Sequence, residues 1–413
     1  MTTPPATDRV LLAALLLPGP RGEAVPDAAV VVRDGLIADA GPREQVLART
    51  DPRTPVLDLA GRTLLPGFID AHAHLVFDAS PEPVAALRAA DDRSVLLAMA
   101  GRARALLDAG VTTVRDLGDR SYLSLALRDA VADGTLAGPR ILTAGPPLTI
   151  TGGHCWFLGG EADGEEEVRR AARARLRAGT DWIKVMATGG TFTPGGPPPW
   201  RSQYGLPELT AAAEEAHRFG RRAAAHVHGT AGIEDAVAAG FDTLEHCSFS
   251  TGAGVATDRD AARRLADRLA ARDTAVCPTL SGGLRDKLPD LGEELVQRVL
   301  DQIGLLHRHG VRVIAGTDAG MPGSGFGRFA EGLDWFAEAG LSTAEVLESA
   351  TTGAAHALGL ADRTGRIAPG LGADLLVVDD DPRTSPATLR TPHAVFARGR
   401  LHRPHDSVEG SLR

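Results

Sequence analysis

The sequence of 413 residues contains few cysteines, and none has the spacing of a metal or redox motif. Its three cysteines, Cys155, Cys247 and Cys277, lie far apart and include no C-x-x-C pair. This pattern argues against a disulfide framework and against a zinc site built from cysteines alone. Because disulfides are rare in reducing compartments, the cysteine content favours a cytoplasmic location.

Long runs of one chemical type are also absent. No apolar run approaches the ~20 residues of a membrane span. The net charge is −9 and no Lys/Arg-rich run is present, which argues against nucleic-acid and membrane partners. The apolar run 10–17 follows one basic residue, Arg9, and has no A-x-A site before Pro18. We therefore expect a buried first strand there rather than a signal peptide.

The two ends of the chain share a β-rich pattern. Residues 28–41 contain two apolar segments on either side of Asp34-Gly35, which predicts a hairpin with a two-residue turn. Near the other end, residues 365–382 and 393–401 are strand-like segments separated by glycine and proline turns. The simplest arrangement is one small β-sandwich domain to which both termini contribute strands.

The middle of the chain alternates between strand-like and helical segments. The helical pattern 206–220 ends on Gly220, a residue type that commonly closes helices. Parallel strands joined by helices predict an α/β fold, a (β/α)8 TIM-type barrel. The predicted strands are residues 64–75, 111–118, 140–145, 181–190, 222–229, 241–247, 274–280 and 311–320.

The length suits a barrel plus a smaller domain, and 43% hydrophobic with 23% charged residues is typical of a globular enzyme. The predicted domains are the N-terminal part of the β-sandwich (1–60), the barrel (61–358) and the C-terminal part of the β-sandwich (359–413).

Residues that can bind metal ions recur where these predicted strands end. His72 and His74 end the first strand, and their spacing directs both rings to the same face. Neutral imidazole is a good zinc ligand, and catalytic groups of such barrels lie at the carboxyl ends of the strands. The combination predicts a metal site. The other candidates, on strands four, five, six and eight, are Lys184, His226, His228, His246 and Asp318.

Lys184 stands in the apolar strand segment WIKVM. A buried lysine is costly unless its charge is neutralised or paired. Reaction with CO₂ would convert it to a carbamate, an anionic ligand able to bridge two metal ions. A buried ion pair is the alternative.

Several segments together resemble the amidohydrolase superfamily: PGFIDAHAHL, GVTTVRDLG, DWIKVMATGG, AAAHVHG, EHCSF and AGTDAG. Within it the chain most resembles the imidazolonepropionase-like and Xaa-Pro dipeptidase branch, over nearly its whole length. The resemblance implies that His72 and His74 bind the more buried ion and that carboxylated Lys184 bridges both ions. It implies His226 and His246 at the second ion, and Asp318 at the first ion and in proton transfer.

The resemblance says less about the substrate. His154, in the segment TGGH, is similar to a histidine that touches the substrate in this branch. His228 shares the strand parity of His226 and is either the alternative ligand or a substrate contact. In the proline-rich loop 191–205, Arg201 and Tyr204 are candidates for binding an anionic group. The chain departs from the family because no histidine follows Asp318 within residues 319–333.

The predicted activity is hydrolysis of an amide C–N bond by metal-bound hydroxide, with one or two zinc ions, or another divalent metal, as cofactor. The expected substrate is a dipeptide or an N-acyl amino acid. The alternatives are opening of a cyclic amide or amidine, as in imidazolonepropionase, and ring deamination. A metal-free binding protein is disfavoured because the full ligand set is present. A homo-oligomer is a family expectation.

Overall fold

Sixteen strands form the sheets of the part of the chain that the structure describes. A computed structural model describes residues 8–252, 254–255, 259–287 and 292–404. The strands are β1 (Arg9–Leu16), β2 (Val25–Arg33), β3 (Leu36–Pro42), β4 (Val56–Asp58), β5 (Thr63–Pro66), β6 (Phe68–Ala73), β7 (Val111–Asp116), β8 (Arg140–Thr143), β9 (Trp182–Met186), β10 (Arg222–Gly229), β11 (Thr243–Thr251), β12 (Gly254–Val255), β13 (Ala275–Cys277), β14 (Leu375–Val378), β15 (Ala394–Ala397) and β16 (Arg400–His402).

Helices alternate with the strands in the middle of the chain. They are α1 (Arg43–Ala48), α2 (Pro83–Ala89), α3 (Asp92–Asp108), α4 (Leu123–Ala132), α5 (Gly164–Ala178), α6 (Leu206–Arg218), α7 (Thr230–Ala239), α8 (Arg259–Ala271), α9 (Glu293–Arg308), α10 (Phe329–Glu338), α11 (Thr343–Ser349) and α12 (Thr352–Ala357). Short 3₁₀ turns are formed by Trp156–Leu158, Gly282–Lys287 and Pro386–Arg390. Among the described helices, none is long and apolar enough to cross a bilayer.

The helix boundaries follow from local chemistry. Asp91 begins α3 because its carboxylate accepts hydrogen bonds from the backbone N–H groups of Arg93 and Ser94. The predicted helix at 206–220 is confirmed as α6, and the chain leaves it through Gly220, whose φ of 66° is one that glycine adopts without steric cost.

Both ends of the chain contribute strands to one eight-stranded sheet. Its order is β16-β15-β14-β5-β1-β2-β3, with β4 also against β1. The predicted hairpin is confirmed: Arg33 pairs with Leu36, and the turn residues Asp34 and Gly35 have φ values of 51° and 77°. Positive φ at both positions is what a two-residue turn matching the strand twist requires. The antiparallel pairing of β14 with β5 joins the two ends of the chain.

The middle strands form two further sheets with parallel pairing. One has the order β6-β7-β8; the other has β9, β10, β11 and β13, with β12 as an antiparallel addition. The α/β class is thus confirmed. Only isolated bridges, Leu148 to Val185, Val276 to Val313 and Ala73 to Ala319, connect strands beyond these sheets. The described residues therefore contain no single closed sheet.

The predicted eighth strand, 311–320, is not a regular strand, and two of those isolated bridges, Val276 to Val313 and Ala73 to Ala319, mark its position. The reason lies in Asp70, whose carboxylate accepts hydrogen bonds from Thr317 N and Thr317 Oγ1 at 3.1 and 2.6 Å. The next residue, Asp318, has a φ of 55°. A side-chain acceptor and a left-handed residue interrupt the ladder here, although backbone hydrogen bonds such as that from Ile314 N to the Val276 carbonyl remain. The prediction of eight regular strands was wrong at this segment.

The strand register places the predicted site residues at one edge. Lys184 on β9 is level with Ala224 on β10, and His226 on β10 is level with Met186 on β9. Val227 is level with His246 on β11. Because carboxyl ends of parallel strands meet at the same edge of a sheet, these side chains approach one another.

We predict that Gly160→Ala destabilises the protein by about 2–3 kcal/mol, because the new Cβ would lie 1.7 Å from the backbone oxygen of Pro147. Gly101→Ala is the matched control. It lies within α3 with no atom within 4 Å of the new Cβ, and should stabilise by about 0.5–1 kcal/mol. Urea unfolding of both variants measures the difference; equal effects would contradict this account.

Candidate metal centre

The first group of metal-capable side chains is His72, His74 and Asp318. The two Nε2 atoms are 3.2 Å apart, and each lies 3.4 Å from Asp318 Oδ1. Two nitrogens about 2.0–2.1 Å from a tetrahedral zinc are roughly 3.3 Å apart. The three ligand atoms therefore have separations that fit a single zinc-sized ion.

The outer ring nitrogens of this group are held by the protein. His72 Nδ1 lies 2.8 Å from Glu245 Oε2, and His74 Nδ1 lies 3.2 Å from the carbonyl oxygen of Gly118. In both cases Nδ1–H donates to oxygen, which leaves the Nε2 lone pair free toward Asp318. Burial lowers the pKa of His74 to about 4, against the opposing charge of Asp318, so this ring is neutral at neutral pH.

Asp318 carries the negative charge of this group. Burial opposes its ionisation, but the interactions with the neighbouring His72, His74 and Lys184 outweigh that effect and hold its pKa below the usual range. Its side chain keeps 22% of its surface exposed. Asp318 is therefore an ionised carboxylate that still faces open space.

The second group is His226, His228 and His246, whose ligand atoms all lie within 4.8 Å of one another. His228 Nδ1 lies 2.9 Å from Ser248 Oγ, and His246 Nδ1 lies 2.8 Å from Thr279 Oγ1. His226 instead uses Nε2, 3.1 Å from the Gly189 carbonyl. Each ring thus keeps one nitrogen free to bind a metal ion. Both alternatives for the metal ligand from β10, His226 and His228, remain open.

The rings of the second group are neutral at neutral pH. Burial lowers the pKa of His226 and His246 well below the usual value, and neighbouring histidines add to the effect. Burial likewise lowers the pKa of His228 to about 4. The neutral imidazole is the form that binds metal ions. Burial therefore keeps these side chains in the protonation state that metal binding requires.

Lys184 lies near both groups and is only 1% exposed. Its charge contributes to the lowered pKa of His74 and of His228. Burial lowers the pKa of the Lys184 amine to about 8, against the opposing charge of Glu245. Within the described parts of the chain, no acceptor forms a hydrogen bond with this amine.

Glu245 and Arg115 are functional residues that the sequence reasoning missed. Arg115 Nη2 donates to Glu245 Oε1 at 2.9 Å, and Thr243 Oγ1 donates to the same oxygen at 2.6 Å. Arg115 Nε donates to the Ala71 carbonyl at 2.7 Å. Burial opposes ionisation of Glu245, but Arg115 and His72 hold its pKa well below the usual range. A charged residue within each of the predicted strands 111–118 and 241–247 was the available signal.

A third cluster, His72, Glu245 and Cys277, also has its ligand atoms within 4.8 Å. It does not suit a cation, because the guanidinium of Arg115 already occupies one carboxylate oxygen of Glu245 and His72 occupies the other. We therefore assign this cluster to the support of His72.

The predicted substrate-contact residues have different positions. His154 is 4% exposed, and its ring centroid lies 4.6 Å from that of His226, beside the second group. Arg201 has an exposed side chain on the loop 191–205. Tyr204 is buried, and its hydroxyl donates to the Ala162 carbonyl at 2.7 Å. The structure brings His154 to the histidines but does not bring the Tyr204 hydroxyl there.

Three phenylalanines form an apolar wall beside the first group. Phe77 packs edge-on against His74 with ring centroids 5.9 Å apart, and Phe192 packs edge-on against Phe77 at 5.0 Å. Phe157 lies 6.3 Å from both of them. They come from the segments that follow β6, β9 and β8. Only 4% of the chain is aromatic, and no sequence spacing connects these positions.

Metal-capable side chains gathered at the carboxyl ends of parallel strands in an α/β fold are typical of metal-dependent hydrolases. The sequence profile of the protein family described as "Amidohydrolase family" matches residues 63–401, so the chain belongs to the amidohydrolase family. That family supports hydrolytic activity on amide bonds.

Three relatives show which members of the family this chain is similar to. An ochratoxinase of Aspergillus niger is 29% identical, over 95% of this chain and 86% of that protein. An imidazolonepropionase of Salinispora tropica is 30% identical, over 86% of each. The crystal structure of a Xaa-Pro dipeptidase with methionine bound in its active site has 26% identity and a TM-score of 0.82, over 96% of this chain and 100% of that one. The predicted resemblance to this part of the superfamily is confirmed.

We predict that Arg115→Met destabilises the protein by roughly 3–5 kcal/mol, because Glu245 would remain buried without its cation. Adding Glu245→Gln should recover part of the loss. Arg53→Met is the control, since its pair with Asp51 is exposed, and it should leave unfolding unchanged. If Arg115→Met unfolds at the same urea concentration as the control, the ion pair does not support the site.

Proposed function

We propose that this protein is a zinc-dependent hydrolase that cleaves the amide C–N bond of a dipeptide or an N-acyl amino acid. The observation that carries the proposal is the convergence of His72, His74 and Asp318, with ligand atoms 3.2–3.4 Å apart. We also propose that the two parallel sheets are arcs of one (β/α)8 barrel over residues 61–358. The bridge from Leu148 to Val185 and the two bridges that join β13 and β6 to the segment 311–320 support that arrangement.

The donor set fits one or two divalent ions. His72, His74 and Asp318 would hold the first, and His226 with His246 would hold the second, with His228 as the alternative to His226. A divalent ion held here would supply a Lewis acid and would lower the pKa of a bound water toward about 7.

Lys184 would serve both ions as a carbamate. Carbamate formation requires the neutral amine, and a pKa of about 8 leaves roughly a tenth of the amine neutral at pH 7. The absence of a hydrogen-bond acceptor for this amine, among the residues described, supports a second chemical partner for it.

The side chains of this chain divide the remaining tasks. Asp318, as an ionised carboxylate, accepts the proton of the attacking water at Oδ1 or Oδ2 and passes it to the leaving nitrogen. That transfer matters because an amine anion is a poor leaving group. His154 and His228 orient the substrate through its carbonyl or carboxylate oxygens. The wall of Phe77, Phe157 and Phe192 excludes water and contacts an apolar substrate group.

The relatives support two substrate classes. Methionine in the site of the Xaa-Pro dipeptidase structure supports an amino acid as one product. The imidazolonepropionase relative supports the second candidate, opening of a cyclic amide. The three cysteines are free and buried, which supports the predicted cytoplasmic location.

The decisive test is a panel of dipeptides and N-acyl amino acids offered to the zinc-loaded protein, with released amine measured. We expect hydrolysis, faster for substrates with an aromatic or large aliphatic group, that is lost on chelation and regained when zinc and bicarbonate are added. No hydrolysis across the panel, with zinc shown to be bound, would overturn the peptidase assignment and favour cyclic amides.

Asp318→Asn should reduce kcat by roughly 100- to 10,000-fold while zinc binding is partly retained. Asparagine keeps the shape of the side chain and tolerates the φ of 55° at this position, but it accepts no proton. Asp273→Asn is the matched control, because Asp273 has a φ of 53° and pairs with Arg312 and His356 in an exposed cluster. Near-normal turnover in Asp318→Asn would remove its role in proton transfer.

A further inference from the structure

The hydroxyl group of Thr193 lies between two buried nitrogen atoms. The backbone N–H of Cys155 donates to Thr193 Oγ1 at 2.8 Å, and Thr193 Oγ1 lies 2.9 Å from His154 Nδ1. Thr193, Cys155 and His154 are each at most 5% exposed. Water therefore has little access to compete for these hydrogen bonds.

The direction of the second hydrogen bond follows from counting protons. A hydroxyl has one proton to donate, and Thr193 Oγ1 already accepts from Cys155 N. Among the described residues, His154 Nδ1 is the only acceptor within hydrogen-bond distance of this hydroxyl. If Nδ1 carried a proton, the hydroxyl proton would be buried without an acceptor, which is costly. Thr193 therefore donates to the lone pair of Nδ1.

We propose that Thr193 is a positioning residue that fixes His154 in the tautomer with its proton on Nε2. The neutral ring then has Nε2–H as a hydrogen-bond donor, and no described residue accepts a hydrogen bond from it. The group that fits there is an oxygen acceptor, a carbonyl or carboxylate oxygen of the substrate. This last step rests on the proposed function; the assignment of the tautomer does not.

The surrounding chain packs closely against the ring and fixes the backbone that carries it. A Cβ on Gly190 would lie 2.5 Å from His154 Cε1, so only glycine allows the backbone this close to the ring. The backbone N–H of His154 donates to Gln203 Oε1 at 2.6 Å, and Gln203 Nε2 donates to the Met186 carbonyl at 2.6 Å. The loop 191–205 thus fixes both the position and the proton of His154.

The same assignment explains why His154 is not a metal ligand although its ring lies 4.6 Å from that of His226. A ring nitrogen that carries a proton has no lone pair for a metal ion. With Nδ1 occupied by Thr193 and Nε2 protonated, His154 remains a hydrogen-bond donor beside the second group.

Nitrogen NMR of protein labelled with ¹⁵N-histidine tests the tautomer without any substrate. The His154 signals are identified by their loss in His154→Gln. We expect Nδ1 at the shift of an unprotonated ring nitrogen and Nε2 at that of a protonated one. We expect the same pattern in Thr193→Ser, which keeps the hydroxyl. Thr193→Val should bring both nitrogens to intermediate shifts, because the two tautomers then exchange.

Thr191→Val is the matched control, since Thr191 is an exposed threonine of the same loop. It should leave the His154 signals unchanged. A protonated Nδ1 in the unmodified protein would overturn the proposal, as would a Thr193→Val spectrum identical to that of the control. The first of these outcomes needs no variant, so it applies even if Thr193→Val does not fold.

Kinetics test the substrate step separately. With a hydrolysed substrate from the panel, Thr193→Val should lower kcat/KM about tenfold, the effect of losing one hydrogen bond, while Thr193→Ser and Thr191→Val stay within about twofold of the unmodified protein. An unchanged kcat/KM alongside the expected NMR result would refute the donor role of His154. Absence of any substrate would refute the proposed function and leave the tautomer assignment standing.

Discussion

The buried ion pair between Arg115 and Glu245 is the interaction on which the site depends. Both side chains are fully inaccessible to solvent, and each would be costly alone. Arg115 also donates to the Ala71 carbonyl and to Thr243 Oγ1, so the pair connects β6, β7 and β11. The remaining carboxylate oxygen of Glu245 accepts from His72 Nδ1, and the orientation of His72 then places its Nε2 beside His74 and Asp318.

Left-handed backbone at the strand ends is the second constraint. His246, Cys247, Thr279 and Asp318 have φ values between 49° and 65°, although none is glycine. Such residues cost about 1–3 kcal/mol each and persist where the surrounding structure fixes them. At His246 the effect is visible: neighbouring strand residues normally point to opposite faces, yet Glu245 and His246 both turn toward the histidines. Strain at these positions is the cost of directing consecutive side chains into one centre.

The sequence identified the candidate site residues better than the residues that hold them in place. The strand-end positions of His72, His74, His226 and His246 are visible because alternation and parallel pairing relate sequence spacing to a shared edge. The same reasoning did not identify Glu245, because regular alternation along β11 would direct the side chains of Glu245 and His246 to opposite faces. The wall of Phe77, Phe157 and Phe192 could not be predicted, because its members meet only through the packing of three irregular segments. The segment 311–320 has an apolar strand pattern, and only the structure reveals that the Asp70 carboxylate accepts hydrogen bonds from Thr317 within it.

Charge balance connects these features to the substrate. Burial keeps His74, His226, His228 and His246 neutral, and the charge of Glu245 is compensated by Arg115. Under the proposed carboxylation, Asp318 and Lys184 would be the only anionic ligands among the described residues proposed for the centre. Two divalent ions would exceed that negative charge by about two units, or by about one unit with a bound hydroxide, by simple addition of formal charges. A centre with that excess positive charge, the donor proposed at His154 and an apolar wall beside it would favour a substrate with a free carboxylate and an apolar group, which is the combination found in an N-acyl amino acid.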